Sequence, residues 1–179
     1  MKEIFLTQNQ IALIDDDDYE MVSLFKWNAK RGSKTYYAST TVCFCGYNIM
    51  LRMHRLLLNA EENQLIDHIN GNGLDNRKAN LRFCTPSQNS MNRKPLTIKN
   101  RKPCYSLFKG VSWRKDVNLW VAYIRANNIK KHIGYFSNEK DAAQAYNVAA
   151  KGIHGEFAFL NKLRARRKGG LDAHNRIKS

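Results

Sequence analysis

Residues 93–107, "RKPLTIKNRKPCYSL", break the apolar patterning of the chain, and that break limits what the chain can fold into. Pro95 and Pro103 enclose a Lys- and Arg-rich stretch with neither helical nor strand period, the composition of an extended linker. The 179 residues therefore divide into two small units, each with its own modest core. The expected class is α+β, because short strands and few helices are written on both sides of the break.

Upstream, "EIFLT", "IALI", "TYYAST" and "NIMLRMHRLLL" read as strands separated by turn residues such as Gly32 and Gly46. Between the second and third lies "DDDDYEMVSLFKW". Four successive Asp invite a metal reading, but carboxylates also favour the positive end of a helix, so a capped short helix with Trp27 as an anchor is the expectation. Cys43, Cys45, Cys84 and Cys104 lack paired zinc-site spacing and are expected to be buried thiols.

The net charge is +15, and residues 1–53 contribute none of it; residues 54–107, 108–161 and 162–179 carry +5, +4 and +6. Such a surface attracts polyphosphate in a salt-sensitive way, so nucleic acid is the first partner to consider. No apolar run reaches the length of a membrane span and the first ten residues do not read as a signal peptide, so a soluble cytoplasmic protein with no membrane partner is expected.

The densest polar stretch is "DHINGNGLDNRKANLRFCTPSQN", residues 67–89. Leu65, Ile66 and Ile69 mark a strand, Asn70-Gly71 and Asn72-Gly73 mark turns, and "NLRF" at 80–83 marks a second strand. Thr85 and Pro86 then give a helix its cap and first residue. Strand, loop, strand and helix in that order can bring Asp67 and His68 near Asn89. These residue types suit a hard divalent cation, magnesium or a substitute such as manganese, with a base beside it: Asp67 and Asn89 offer oxygens, and neutral His68 can take a proton from water. Asn80 is placed to hydrogen-bond the histidine or its loop. Asp75 and Asn76 read as loop residues. Because adjacent strand residues point to opposite faces, the strand must end or bulge at Asp67-His68.

"HRLLL", "DHINGN", "DNRKANLR" and "TPSQNSMNR" together resemble the homing-type HNH endonucleases. The resemblance implies a ββα-metal fold over residues 54–94, with 1–53 as an N-terminal β region of the same nuclease domain. It implies Asp67 and Asn89 as metal ligands, His68 as general base and Asn80 as the residue that orients it, giving 5′-phosphate and 3′-hydroxyl ends. Asn89 stands where many members have His. Arg55, Arg77, Arg82 and Arg93 surround this region and are candidate phosphate contacts.

Beyond the linker of residues 95–107, "FKGVSW", "LWVAYIRA" and "KHIGYF" read as three strands, followed by a helix in "SNEKDAAQAYNVAAKGIHG". Alternation along the second strand puts Trp120, Ala122 and Ile124 against that helix, whose expected stripe is Ala142, Ala145, Tyr146 and Ala149. Val121, Tyr123 and Arg125 are left on an open face. Residues 108–161 resemble the APETALA/ethylene-response-factor DNA-binding domain in "WVAYIR", "IGYF", "EKDAAQAYNVAA" and "GEFAFLN". The resemblance implies double-stranded DNA as partner, contacted by Lys109, Ser112, Arg114, Tyr123, Arg125, Lys130 and His132. Ser112 and Tyr123 differ from the Arg and Glu of many plant members, so the plant target does not transfer. Residues 162–179 read as a basic tail. The expected protein is a monomeric, metal-dependent DNA endonuclease in a bacterial or phage-infected cell, without a small-molecule cofactor. The alternative is a non-catalytic, sequence-specific DNA-binding regulator on a decayed HNH scaffold.

Overall fold

A computed structural model describes residues 1–95, 98–99, 102–127 and 129–163, and the chain divides into two compact units, Met1–Ser90 and Met91–Ser179. In the first, β1 (Lys2–Phe5) and β2 (Ile11–Ile14) form an antiparallel hairpin. A 3-10 turn over Asp16–Asp18 runs into α1 (Tyr19–Ser23), and a second antiparallel sheet follows: β3 (Asn28–Arg31), β4 (Tyr36–Phe44) and β5 (Tyr47–Arg52), in that order. Then come α2 (Met53–Leu57), the hairpin β6 (Leu65–His68) with β7 (Leu81–Cys84), and α3 (Pro86–Met91). The mixture of small sheets and few helices is α+β.

One core holds the unit together, with Ile14, Val22, Trp27, Ala38, Met53, Leu74 and Leu81 at its centre. Trp27 fills it as an anchor and donates its indole N–H to the Val22 carbonyl at 2.8 Å, so its one polar group is not stranded.

Three expectations are corrected here. "NIMLRMHRLLL" is not one strand: β5 stops at Arg52, and residues 53–57 turn into α2 because Met53, His54 and Leu57 face the core at helical spacing. A helix does begin after the Asp run, but no Asp side chain caps it; Asp15 Oδ2 instead accepts from the Lys78 backbone N–H at 2.7 Å, and Asp18 pairs with Lys78 Nζ at 2.6 Å. Contacts some sixty residues away thus take those carboxylates. None of the thiols is buried: Cys43 at the end of β4 and Cys45 in the turn after it are exposed, Cys84 and Cys104 are half-buried, and all four are free.

In the second unit, β8 (Ile98–Lys99) and β9 (Lys102–Pro103) form a short ladder within the stretch expected to be an extended linker without strand period. The antiparallel sheet β10 (Val111–Arg114), β11 (Leu119–Ala126) and β12 (Ile129–Phe136) is covered on one face by α4 (Glu139–His154), whose N-cap Asn138 accepts from the Lys140 N–H. Trp120, Ala122 and Ile124 are buried as the alternation predicts. The buried stripe on α4 is Ala142, Ala143, Tyr146 and Ala150; Ala145 and Ala149 flank it half-buried, one step round the helix from the expected positions.

Gly110 makes the close approach possible. Its φ is +73°, and a Cβ there would sit 2.1 Å from the Tyr146 ring and 2.5 Å from the Tyr123 carbonyl oxygen. Asn161 clamps the neighbouring Lys109 from the chain's other end, accepting from its N–H at 2.7 Å and donating to its carbonyl at 3.0 Å. Of the expected basic tail, residues 164–179 lie outside the described residues.

Candidate active site

The β6–β7 hairpin pairs Asp67 with Arg82 and His68 with Leu81, with no register shift. The strand ends at His68, where the Gly71 N–H folds back to the His68 carbonyl at 2.8 Å and the Ile69 N–H reaches the Asn80 carbonyl at 2.9 Å. Gly71 takes up the left-handed conformation this turn requires, φ +69°. Gly73 serves differently: a Cβ there would meet the Tyr36 carbonyl at 2.5 Å and the Tyr37 ring at 2.7 Å, so its bareness lets the loop lie on Tyr37.

Asp67 and His68 are both buried. Arg82 donates to Asp67 Oδ2 through Nη2 at 2.7 Å and Nε at 3.1 Å, and the two side chains are only 10 % and 8 % exposed. The guanidinium thus gives this buried side chain a two-pronged, charge-assisted partner.

His68 lies in an aromatic corner. Its ring is 5.2 Å from that of His54 at 84° and 5.9 Å from that of Tyr37, while His54 and Tyr37 are 5.8 Å apart. His68 Nε2 is 3.4 Å from Asn76 Oδ1. Burial holds the His68 pKa below the usual histidine value, opposed by Asn76 and the charges of Asp67 and Asp75, so the ring favours the neutral form a base needs.

His54 is pushed further, to about 3, by burial first and then by the neighbouring His68, Arg52 and Arg55 charges, and its buried Nδ1 has no hydrogen-bond partner. It packs as a neutral ring. A histidine whose folded pKa lies below its unfolded one binds fewer protons when folded, so stability is lost as pH falls from 6.5 toward 3. His54 alone is expected to cost about 2 kcal/mol of unfolding free energy between neutral pH and pH 5. Denaturant unfolding across that range checks this, and His54→Phe should flatten the slope.

Asn80 is buried and holds the loop: its Oδ1 accepts from the Asn70 N–H at 3.0 Å, and its Nδ2 donates to the Asp75 carbonyl at 2.7 Å and to Asn70 Oδ1 at 3.2 Å. Asp75 and Asn76 are more than loop. Both are buried; Asp75 accepts from Asn70 and, bidentately at 2.7 Å, from Arg77, which holds its carboxyl below the usual range. Residues 74–76 add to β2 as a parallel bridge, with Leu13 N–H to Leu74 carbonyl and Asn76 N–H to Leu13 carbonyl, each 2.8 Å. The dipeptide Asp-Asn ahead of Arg was the available signal, since buried polar side chains need assigned partners.

Thr85 caps α3 as expected and does so reciprocally, its hydroxyl accepting from the Gln88 N–H at 3.2 Å while Gln88 Oε1 accepts from the Thr85 N–H at 2.8 Å. This fixes the first turns of α3, where Asn89 stands half-buried with its N–H on the Thr85 carbonyl. Arg55 spends its guanidinium on the carbonyls of Ala60, Glu61 and Gln64, closing the loop after α2. Arg77 remains partly exposed beside Asp75.

In the second unit, Ser112, Arg114, Val121, Tyr123, Lys130 and His132 line a shallow concavity of about 250 Å³ on the sheet face away from α4. Register explains the grouping: Ser112 pairs with Val121, Tyr123 with His132 and Arg125 with Lys130. Lys130 Nζ stands 3.9 Å over the Tyr123 ring, and Arg114 is paired with Asp116, both exposed. Val121, expected on the open face, is buried at the floor of the concavity. Lys109 directs its ammonium to the carbonyls of Met91 and Arg93, while the Arg93 side chain is exposed.

Residues 59–91, from the end of α2 through α3, match the family model described as HNH endonuclease. A protein of Acanthamoeba polyphaga mimivirus described as an uncharacterized HNH endonuclease is 31% identical over 159 residues, 85% of this chain and 75% of its own. Protein 3.8 of Escherichia phage T7 is 32% identical over 93 residues, 52% of this chain and 72% of its own. An ethylene-responsive transcription factor of Arabidopsis thaliana is 40% identical over 67 residues, 36% of each chain. No solved structure gives a significant match. The family-model match and the HNH endonuclease relative make this chain a nuclease. It belongs to the HNH endonuclease family. Among the described residues no helix is long and apolar enough to cross a membrane.

Proposed function

We propose that the chain is a homing-type, divalent-metal-dependent endodeoxyribonuclease of ββα-metal architecture, in which residues 1–94 cut a phosphodiester bond and residues 108–161 select the DNA. The observation that carries this reading is His68: a buried imidazole kept toward neutrality at the end of a hairpin, next to Asp67, which Arg82 holds at 2.7 Å.

The donor chemistry fits a hard cation. Among the described residues no three His, Cys, Asp or Glu side chains gather as a metal cage. The Asp67 carboxylate and the Asn89 amide oxygen are hard donors of the kind magnesium takes, with water and a substrate phosphate completing its shell. Bound there, the cation would stabilise charge on the phosphate and the leaving oxygen. His68 takes the proton of a water whose oxygen bonds to phosphorus as the P–O3′ bond breaks; the leaving 3′ oxygen takes a proton from solvent, giving 5′-phosphate and 3′-hydroxyl ends. Asn80 holds the loop beside the base. Arg77 and Arg93 offer charge to the flanking phosphates.

The second unit supports a reading role through its open face, where Arg125, Lys130 and His132 are exposed around Tyr123. A sheet with one helix-covered face and one basic, aromatic face suits the DNA major groove. Incubating supercoiled and linear duplex DNA with the chain, with magnesium and with a chelator, tests the reading. Nicked or cut product only with magnesium is expected; a gel shift without product in either condition would sink it.

A further inference from the structure

We propose that Asn76 is the positioning residue that sets the tautomer of His68: its side-chain oxygen accepts from Nε2–H, which leaves the lone pair for proton transfer on Nδ1. The inference rests on His68 as the general base and names the nitrogen that acts.

The backbone around Leu74 fixes the direction of each hydrogen bond in this chain of contacts. A carbonyl oxygen can only accept, and Asn76 Nδ2 lies 3.2 Å from the Leu74 carbonyl, so the NH₂ end of the amide is the end turned to Leu74. The end near His68 is therefore Oδ1, 3.4 Å from Nε2. That oxygen also only accepts, so Nε2 carries the hydrogen. A neutral imidazole has one N–H, and its lone pair then sits on Nδ1.

Both ends of this relay are pinned. Asn76 is wholly buried, its own N–H is bonded to Leu13, and Leu74 is bonded to Leu13 as well, so β2 holds both the amide and its acceptor. The His68 ring is packed edge-on by His54 and Tyr37, which resists a flip. A separation of 3.4 Å is long for such a bond, as catalytic contacts often are before substrate draws a site together. Asn80, to which the family resemblance assigns the orienting task, bonds Asn70 and the Asp75 carbonyl, and so supports the loop from which Asn76 reaches His68.

Long-range ¹H–¹⁵N spectra of the full chain, free of metal and DNA at neutral pH, report the tautomer directly. Wild type is expected to show His68 as Nε2–H. Asn76→Leu, similar in volume but without an acceptor, should move His68 toward a mixture of tautomers, while Asn76→Asp, which keeps an oxygen there, should retain Nε2–H. With magnesium and supercoiled DNA, Asn76→Leu should lower kcat roughly 10- to 100-fold with Kd for DNA unchanged, the loss a misoriented base brings. A wild-type His68 found as Nδ1–H overturns the proposal even if no variant folds. So does an Asn76→Leu chain that keeps the Nε2–H signature and full kcat, or one whose Kd weakens as much as its kcat. Failure of the base assignment is a separate result: His68→Ala that still cleaves removes His68 from the chemistry and leaves the wild-type tautomer as measured.

Discussion

Replacing His68 with alanine is expected to lower magnesium-dependent cleavage by about 10²- to 10⁴-fold, the usual worth of a positioned general base, while DNA affinity should stay near wild type. The two effects separate because a single buried, neutral imidazole contributes little to phosphate binding. Removing the ring does leave a gap beside His54 and Tyr37, so some loss of stability accompanies it. Measuring kcat and Kd at a temperature where the variant remains folded keeps the two apart. Metal-dependent cleavage surviving at wild-type rate would remove His68 from the mechanism.

Deleting residues 108–179 takes away ten of the fifteen net positive charges, together with the whole sheet face around Tyr123. Since each phosphate contact releases counterions, the truncated chain should bind DNA roughly 10²- to 10³-fold more weakly, with a visibly shallower salt dependence. Slow magnesium-dependent cleavage should persist at high protein concentration, because Asp67, His68, Asn80 and Asn89 all lie within the unit Met1–Ser90. A soluble, folded truncation with no activity at any concentration would show that cutting needs the second unit. Unchanged affinity would instead move DNA selection into the first.

Local signals made much of this legible. The hairpin β6–β7, the turn at Asn70-Gly71 and the Thr85–Gln88 cap all rest on contacts between residues a few positions apart, where propensity and turn chemistry act directly. The strand end at Asp67-His68 followed from alternation and the glycine after it. What the sequence did not disclose are the long-range partners. Asp15 and Asp18 hold Lys78, Leu13 holds Leu74 and Asn76, and Thr35 accepts from the Gly73 N–H at 3.0 Å. Nothing in a run of four Asp tells which lysine it will meet. Arg55 and Arg82 show the same gap: each was a phosphate candidate by type, and each has most of its hydrogen-bonding capacity directed inward, Arg55 to three carbonyls and Arg82 to Asp67.

The bridge from β2 to residues 74–76 bears on how small a working nuclease can be. A piece beginning at residue 54 would contain every proposed ligand and the base, yet it would lack Leu13, Asp15 and Thr35, the groups that hold the loop from the far side. On the proposed assignment, the loop beside the base is held only once Leu13, Asp15 and Thr35 have met residues 73–78. A partly folded or clipped chain would carry the proposed cutting residues without the contacts that hold their loop, and is expected to cleave more slowly than the whole chain.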